Sequence, residues 1–340
     1  MGGSGYVGQE LVRLLHEHPA IGSILLAGRT SYDEFYQLFQ NHYKAHNYRV
    51  QTLTLEELAM ECDVVFVALP HGVLSNEINE NILNQTIIID LGADFRLSNQ
   101  TEYESWYQTP HGSPDLLKQS VYGLVELNRK KIQQARFIGN PGCYTTCSIL
   151  SIVPFLKGGF AETDSIIIDA KSGVSGAGRG ISLEGLYTET NENLKAYKAV
   201  GHRHIPEIEE YVSVFSETSI QPITFTPHLV PMNRGILTTT YLKLNKGYRH
   251  ETLAQYLEEF YQEAPFIRVL PEGRLAETKW VKGTNFVDMS LYVDARTNRL
   301  TVVSVLDNLI KGAAGQAIQN MNILFGLKES LGISNIAIYP

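Results

Sequence analysis

The run GNPGCYTT (residues 139–146) places a cysteine after a strand-like stretch (136–138) and a Pro-Gly turn. An apolar run suited to a helix follows at 147–156. This spacing puts Cys143 at or beside a helix N-terminus. Unpaired backbone N–H groups and the helix dipole favour negative charge there, so the thiol is expected to ionise readily. An accessible thiolate is a carbon nucleophile and needs a proton carrier.

The best candidate for that carrier is His204, in GHRHIPEI (201–208). Pro206 fits the first turn of a following helix. Glu207 stands three residues after His204, a spacing that puts both side chains on one helical face. A carboxylate there would fix the imidazole, giving a cysteine–histidine–carboxylate relay. His202 is either part of the substrate site or structural.

The segment KSGVSGAGRG (171–180) combines glycines and serines with one arginine, Arg179. Such a loop binds phosphate through N–H groups and a guanidinium. Arg234, in HLVPMNRG (228–235), suits a substrate carboxylate or the surface. Arg96, in DFR (94–96), suits an anion or an ion pair between domains. A nucleophilic thiol beside an anion loop points to attack on an acyl phosphate. The thioester left behind would then be reduced by a nicotinamide cofactor, with His204 handling the protons.

Such chemistry needs a nucleotide-binding unit, and the first half of the chain reads as one. Gly2, Gly5 and Gly8 give a GxxGxxG spacing ahead of a helical pattern at 9–17. Glycines here let the backbone approach a pyrophosphate. Strand-like runs at 21–27, 48–53, 63–70 and 86–91 alternate with helical segments at 55–61 and 74–83. That alternation predicts an open α/β sheet. After the 21–27 run the chain has Arg29, Thr30 and Ser31 in place of an acidic residue. A guanidinium and hydroxyls suit a 2′-phosphate, so the expected cofactor is NADP(H). A dinucleotide fold also needs a strand before its glycine turn, and only Met1 precedes this one. The expectation is an apolar strand encoded upstream of Met1.

From residue 165 the pattern becomes α+β. Strands are expected at 165–170, 223–226, 235–244, 286–295 and 300–305, and helices at 204–215 and 251–264. The expected division is a nucleotide domain at 1–142 and 307–340, with a catalytic and dimerisation domain at 143–306.

The chain has 340 residues and a net charge of −8, with no long basic run, which argues against nucleic acid. No apolar stretch approaches a membrane span. Cys62, Cys143 and Cys147 have neither disulfide-framework nor zinc spacing, so no metal is expected. Cys62 and Cys147 read as core thiols. No export signal is visible, and the cytoplasm is the expected compartment.

Over nearly its whole length the sequence resembles the N-acetyl-gamma-glutamyl-phosphate reductases of arginine biosynthesis, within the aspartate-semialdehyde dehydrogenase-like superfamily. The motifs are GGSGYVG (2–8), ALPHG (68–72), DLGADFRL (90–97), YGLVELNR (122–129), GNPGCYTT (139–146), KSGVSGAGRG (171–180), GHRHIPEIE (201–209) and DNLIKGAAGQAIQNMN (307–322). The resemblance implies Cys143 as acyl acceptor and His204 as acid/base. It implies NADPH and N-acetyl-glutamyl phosphate as substrates, a homodimer or homotetramer, and a C-terminal helix returning to the nucleotide domain. The residues assigned to the cofactor are Gly2, Ser4, Gly5, Tyr6, Val7, Gly8, Arg29, Ser31, Pro70, Ser172, Gly173 and Asn308. Those assigned to the substrate are Arg96, Asn140, Arg179, His202 and Arg234. The sequence departs from the family in lacking the first strand and in having Gly92 where serine is frequent. A reductase for aspartyl or carrier-bound aminoadipyl phosphate, or a non-catalytic nucleotide sensor, are the alternatives.

Overall fold

The computed structural model describes residues 1–338. The chain forms two units, the first made of Met1–Pro141 and Ala313–Ser334, the second of Gly142–Gly312 with the described residues 335–338.

In the first unit, α1 (Tyr6–His16) buries Leu11, Val12, Leu14 and Leu15 along one stripe. β1 (Leu26–Ala27) and β2 (Val50–Gln51) pair in parallel. α2 (Leu55–Glu61) begins on a capping box. In it the Thr54 hydroxyl accepts from the Glu57 N–H, and the Glu57 carboxylate accepts from the Thr54 N–H. β3 (Val64–Val67) follows, then α3 (Leu74–Glu77) and α4 (Glu80–Gln85). The single helix expected at 74–83 is therefore two. Asn79 restarts the chain as an N-cap, its side chain accepting from the Ile82 N–H. Next come β4 (Ile87–Asp90), α5 (Gln100–Tyr107), β5 (Val121–Tyr122), α6 (Val125–Ile132) and β6 (Phe137–Gly139).

The second sheet of this unit runs β3-β4-β6-β5, all parallel. Val65, Val67, Ile88, Ile89 and Ile138 are buried in it, as a sheet covered on both faces requires. Each such side chain contributes about 1.5–3 kcal/mol. Of the strand expected at 21–27, only Leu26 and Ala27 are in ladder geometry. Among the described residues no strand lies between β1 and β3. Met1 and Gly2 occupy the end of that position, with the Met1 amine donating to Phe66 O, Ala68 N–H to Met1 O, and Gly2 N–H to Ala27 O.

The second unit opens with α7 (Cys143–Lys157), buried from Tyr144 to Leu156. Pro154 interrupts its hydrogen-bond ladder, leaving Leu150 O without a helical donor. The Tyr261 hydroxyl donates to that carbonyl at 2.7 Å. β7 (Ile167–Gly173), α8 (Tyr187–Thr190), β8 (Lys195–Ala196), α9 (His204–Ser216), β9 (Thr224–Val230), β10 (Ile236–Lys243), α10 (His250–Phe260), β11 (Ile267–Val269), β12 (Val287–Asp294) and β13 (Arg299–Leu306) follow. One mixed sheet results, ordered β11-β12-β13-β10-β7-β9-β8. α7 packs on β10 and β13, with α9 and α10 beside it. β7 runs three residues further than expected, because Lys171 and Ser172 pair with both β9 and β10 and Gly173 pairs with β9. The chain returns to the first unit as α11 (Gly315–Leu324), packed on α6, α1 and β4. No described helix is long and apolar enough to cross a membrane.

Candidate active site

Cys143 is the first residue of α7, and Gly142 is its N-cap with no side-chain cap bond. The start of this helix is tied down from α9. Glu207, 1% exposed, accepts through Oε1 from the Gly142 N–H at 2.9 Å. The Thr145 hydroxyl lies 2.8 Å from the same oxygen. The spacing suggested that Glu207 would orient the His204 ring. The contacts made by Oε1 clamp the first turn of α9 to the first turn of α7. Glu207 thereby sets the position of His204, the first residue of α9, relative to Cys143.

Tyr144 completes the link. Its ring meets those of His202 and His204 edge-on, with centroids at 5.5 and 5.9 Å. Its hydroxyl donates to His228 O. The two histidine rings are 4.8 Å apart. Burial, reinforced by the charges of His204, Lys198 and Arg203, drives the His202 pKa down to about 2. His202 is therefore a neutral ring. Its Nδ1 accepts from the His204 N–H at 3.2 Å, which leaves the proton on Nε2. The ring carries one neutral donor and no positive charge.

The other side of Cys143 is formed by a residue the sequence reading did not single out. A π-helical turn, Ile310–Ala314, precedes α11. In it the Gly312 N–H donates to Asp307 O, five residues back. A Cβ on Gly312 would lie 2.6 Å from the Cys143 Cβ and 3.1 Å from its Cα. Only glycine leaves the cysteine where it stands. Gly312→Ala is expected to lower kcat by about 10²-fold through displacement of the nucleophile. The same variant should slow alkylation of Cys143 by iodoacetamide. Unchanged kcat and alkylation rate would show that this contact does not set the thiol's position.

The 171–180 loop is held within the second unit. Asn308, 2% exposed, accepts from the Gly235 N–H and donates to the Ser175 hydroxyl. The residue assigned to the cofactor thus braces the loop. The Ser172 hydroxyl donates to Gly173 O, and a Cβ on Gly173 would strike Asn233 O at 2.7 Å. Arg179 is exposed at the loop's end. Arg234 lies 3.7 Å from the buried carboxylate of Asp307.

Arg96 and Asn140 belong to the first unit and are bound within it. The Arg96 guanidinium, 9% exposed, donates to Asn140 O and Leu91 O. The Asn140 amide donates to Ala313 O and accepts from Asn320. These contacts make them braces of the β4 and β6 ends. Cys147 is fully buried, its thiol pushed up to about 12 by burial. Cys62 is half-buried against the apolar core.

The glycine turn fits a dinucleotide. Gly2 has φ +84°, and a Cβ on it would lie 2.3 Å from Ala68 O. A Cβ on Gly8 would lie 2.5 Å from Gly2 O, so α1 closes tightly on the turn. Gly5 is the N-cap of α1, with no side-chain cap bond and no acidic residue in the first turn. The first-turn N–H groups, with Ser4, Tyr6 and Val7 around them, suit a pyrophosphate. Arg29 directly follows Gly28 after β1 and is exposed. The Ser31 hydroxyl is 3.0 Å from that of Thr52. Pro70 is exposed just after β3.

Comparison with known proteins matches these two units. Residues 1–135 fit the semialdehyde dehydrogenase NAD binding domain, and residues 143–308 the semialdehyde dehydrogenase dimerisation domain. The N-acetyl-gamma-glutamyl-phosphate reductase of Lachnoclostridium phytofermentans is 49% identical over 341 residues, covering 100% of this chain and 98% of the relative. That of Campylobacter jejuni serotype O:6 is 47% identical over 338 residues, covering 99% and 97%. Aspartate semialdehyde dehydrogenase II of Vibrio cholerae, solved with ASA, shares the fold with a TM-score of 0.70 at 16% identity, covering 96% of both chains. The Candida albicans aspartate semialdehyde dehydrogenase solved with NADP superposes with a TM-score of 0.66 at 17% identity, covering 96% of this chain and 97% of that one. The chain belongs to the N-acetyl-gamma-glutamyl-phosphate reductase family of semialdehyde dehydrogenases.

Proposed function

We propose that this chain reduces N-acetyl-glutamyl 5-phosphate to N-acetyl-glutamate 5-semialdehyde and phosphate, using NADPH. The observation that carries the reading is the construction around Cys143. The Cys143 thiol starts a buried helix, backed by Gly312, with the first turn of α9, which carries His204, clamped to it through Glu207. That is the equipment of a covalent acyl acceptor.

The Cys143 thiolate forms a C–S bond to the acyl carbon, and the C–O bond to phosphate breaks with its electrons leaving on the phosphate. The thioester remains on Cys143. NADPH, when bound, supplies hydride to reduce it. His204 protonates the resulting oxyanion, then takes that proton back as the C–S bond breaks and thiolate and aldehyde separate. The α1 turn (Gly2, Ser4, Gly5, Tyr6, Val7, Gly8) would hold the pyrophosphate, and Arg29 with Ser31 the 2′-phosphate. Arg179 and Arg234 supply positive charge for the substrate's phosphate and carboxylate, and neutral His202 a single donor. The dimerisation domain supports a homo-oligomer, dimeric or tetrameric.

The test runs the reaction backwards, with N-acetylglutamate semialdehyde and aspartate semialdehyde side by side. Phosphate-dependent NADP⁺ reduction should favour the former by about 10²-fold or more in kcat/KM, since buried polar groups left unpaired by the wrong substrate cost several kcal/mol. A preference for aspartate semialdehyde would overturn the assignment.

A further inference from the structure

The chain between β1 and β2 makes a long loop whose two limbs are closed by backbone bonds. Tyr32 and Val50 form an antiparallel bridge, and beyond it the Phe35 N–H donates to Tyr48 O at 2.8 Å. Two short turns, Phe35–Gln37 and Gln40–His42, shape the loop. Phe35 is buried, and the rings of Phe39, His42 and His46 pack around it with centroids at 5.4, 4.9 and 5.9 Å. His46 in turn stacks on Tyr48 at 4.0 Å. His42 is buried, and His46 and Tyr48 are half-buried.

The two histidines bond through ring nitrogens, and the geometry has room for one proton on each ring. The Tyr48 N–H donates to His46 Nδ1 at 3.4 Å, so the His46 proton lies on Nε2. That proton points at His42 Nδ1, 2.7 Å away. The His42 proton then lies on Nε2, which stands 3.3 Å from the side-chain amide of Gln9 on α1. The Gln9 amide oxygen, turned to the ring, accepts it. A further proton sets donor against donor. On His42 Nδ1 it meets the His46 Nε2–H, and on His46 Nδ1 it meets the Tyr48 N–H.

The surrounding charges act in the same direction. From α1, Glu10, Arg13 and His16 face the pair. The His16 ring is 5.2 Å from that of His46, and its Nδ1 is 3.0 Å from the Tyr48 hydroxyl. Glu10 is paired with Arg13 at 2.9 Å, which offsets its negative charge. Burial lowers the His46 pKa to about 4, with His42 and His16 adding to the effect. Burial, with His16 and Arg13 behind it and Glu10 opposing, lowers that of His42 as well.

We propose that His42 and His46 form an acid-operated latch: uncharged, they hold the 32–50 loop shut against α1, and on taking up protons they release it. In the open loop both rings return to the ordinary histidine value of about 6.5. The closed loop therefore binds fewer protons than the open one. Closure is fully favoured above the open-state value and weakens as pH falls from there through the lowered closed-state values. Ser31 and Thr52 flank the loop, with their hydroxyls 3.0 Å apart. Opening loosens the place assigned to the 2′-phosphate; that consequence rests on the cofactor reading above, whereas the latch does not.

The test is amide hydrogen exchange on the full chain without cofactor at pH 6 and pH 5, corrected for the intrinsic exchange rate. Opening read at Phe35 and Val50 should rise more than about tenfold over this unit, because two rings take up protons and one alone gives less than tenfold. Ile88 of β4, whose N–H donates to Arg136 O, should change less than about twofold. His46→Gln keeps a donor toward His42 without a titrating ring, and should cut the response to about threefold or less. Ring titration of the wild-type chain by NMR needs no variant: both midpoints should fall below about 6.5, with the His46 proton on Nε2. A wild-type rise of about threefold or less, or an equal response in His46→Gln or at Ile88, would overturn the proposal. So would a midpoint for either ring at about 6.5 or above.

Discussion

Cys143→Ser is expected to lower kcat by at least about 10⁴-fold, on the scale seen when a covalent nucleophile is removed. Serine is nearly isosteric, so the contacts of Glu207 and Gly312 around this position can persist. The hydroxyl lacks the thiol's acidity and nucleophilicity, so the acyl transfer fails. Cys147 cannot substitute, because it is fully buried and its thiol is pushed up to about 12. NADPH affinity, measured by fluorescence titration, should stay within about twofold, because Cys143 is not among the residues assigned to the cofactor. Substantial turnover by this variant would remove the covalent step from the mechanism.

His204→Asn is expected to slow turnover by roughly 10²–10⁴-fold, the usual share of general acid–base catalysis. Asparagine keeps a hydrogen-bonding side chain at the start of α9, so the Glu207 clamp on α7 should survive. His202 is a poor replacement. Its ring is held neutral, and its Nδ1 already accepts from the His204 N–H, so it has no free basic nitrogen in this geometry. Near-normal turnover would assign the proton to water or to a rearranged His202.

Much of this site was legible in the sequence because local chemistry dictated it. The Pro-Gly turn before Cys143 and the apolar run after it put the cysteine at the start of α7. α9 begins at His204, as its pattern indicated. The partners of Glu207 were not legible. An i, i+3 spacing shows that His204 and Glu207 share a face, but it does not reveal what the carboxylate meets from another helix. The role of Gly312 was hidden for the same reason. A run of small residues at 312–315 signals close approach without naming its partner, and the π-helical turn that aims Gly312 at Cys143 has no periodic signature.

Arg96, Asn140 and Asn308 have structural contacts that the sequence did not reveal. Polar side chains inside motifs read as ligand contacts, and each of these is also buried and bonded to backbone or to a neighbouring side chain. Buried backbone carbonyls and amides at strand ends must find partners, and these side chains supply them. Strand lengths also escaped the sequence. β7 extends through Lys171, Ser172 and Gly173 because two neighbouring strands pair with it, overriding residues of low strand preference.

The most direct test of the account is to trap the acyl enzyme. The full chain is incubated with N-acetyl-glutamyl phosphate in the absence of NADPH, quenched in acid and digested for mass spectrometry. The expected result is one N-acetylglutamyl group on the peptide carrying Cys143, released by hydroxylamine and absent from Cys143→Ser. An unmodified Cys143 peptide in an enzyme that still turns over on adding NADPH would contradict the account.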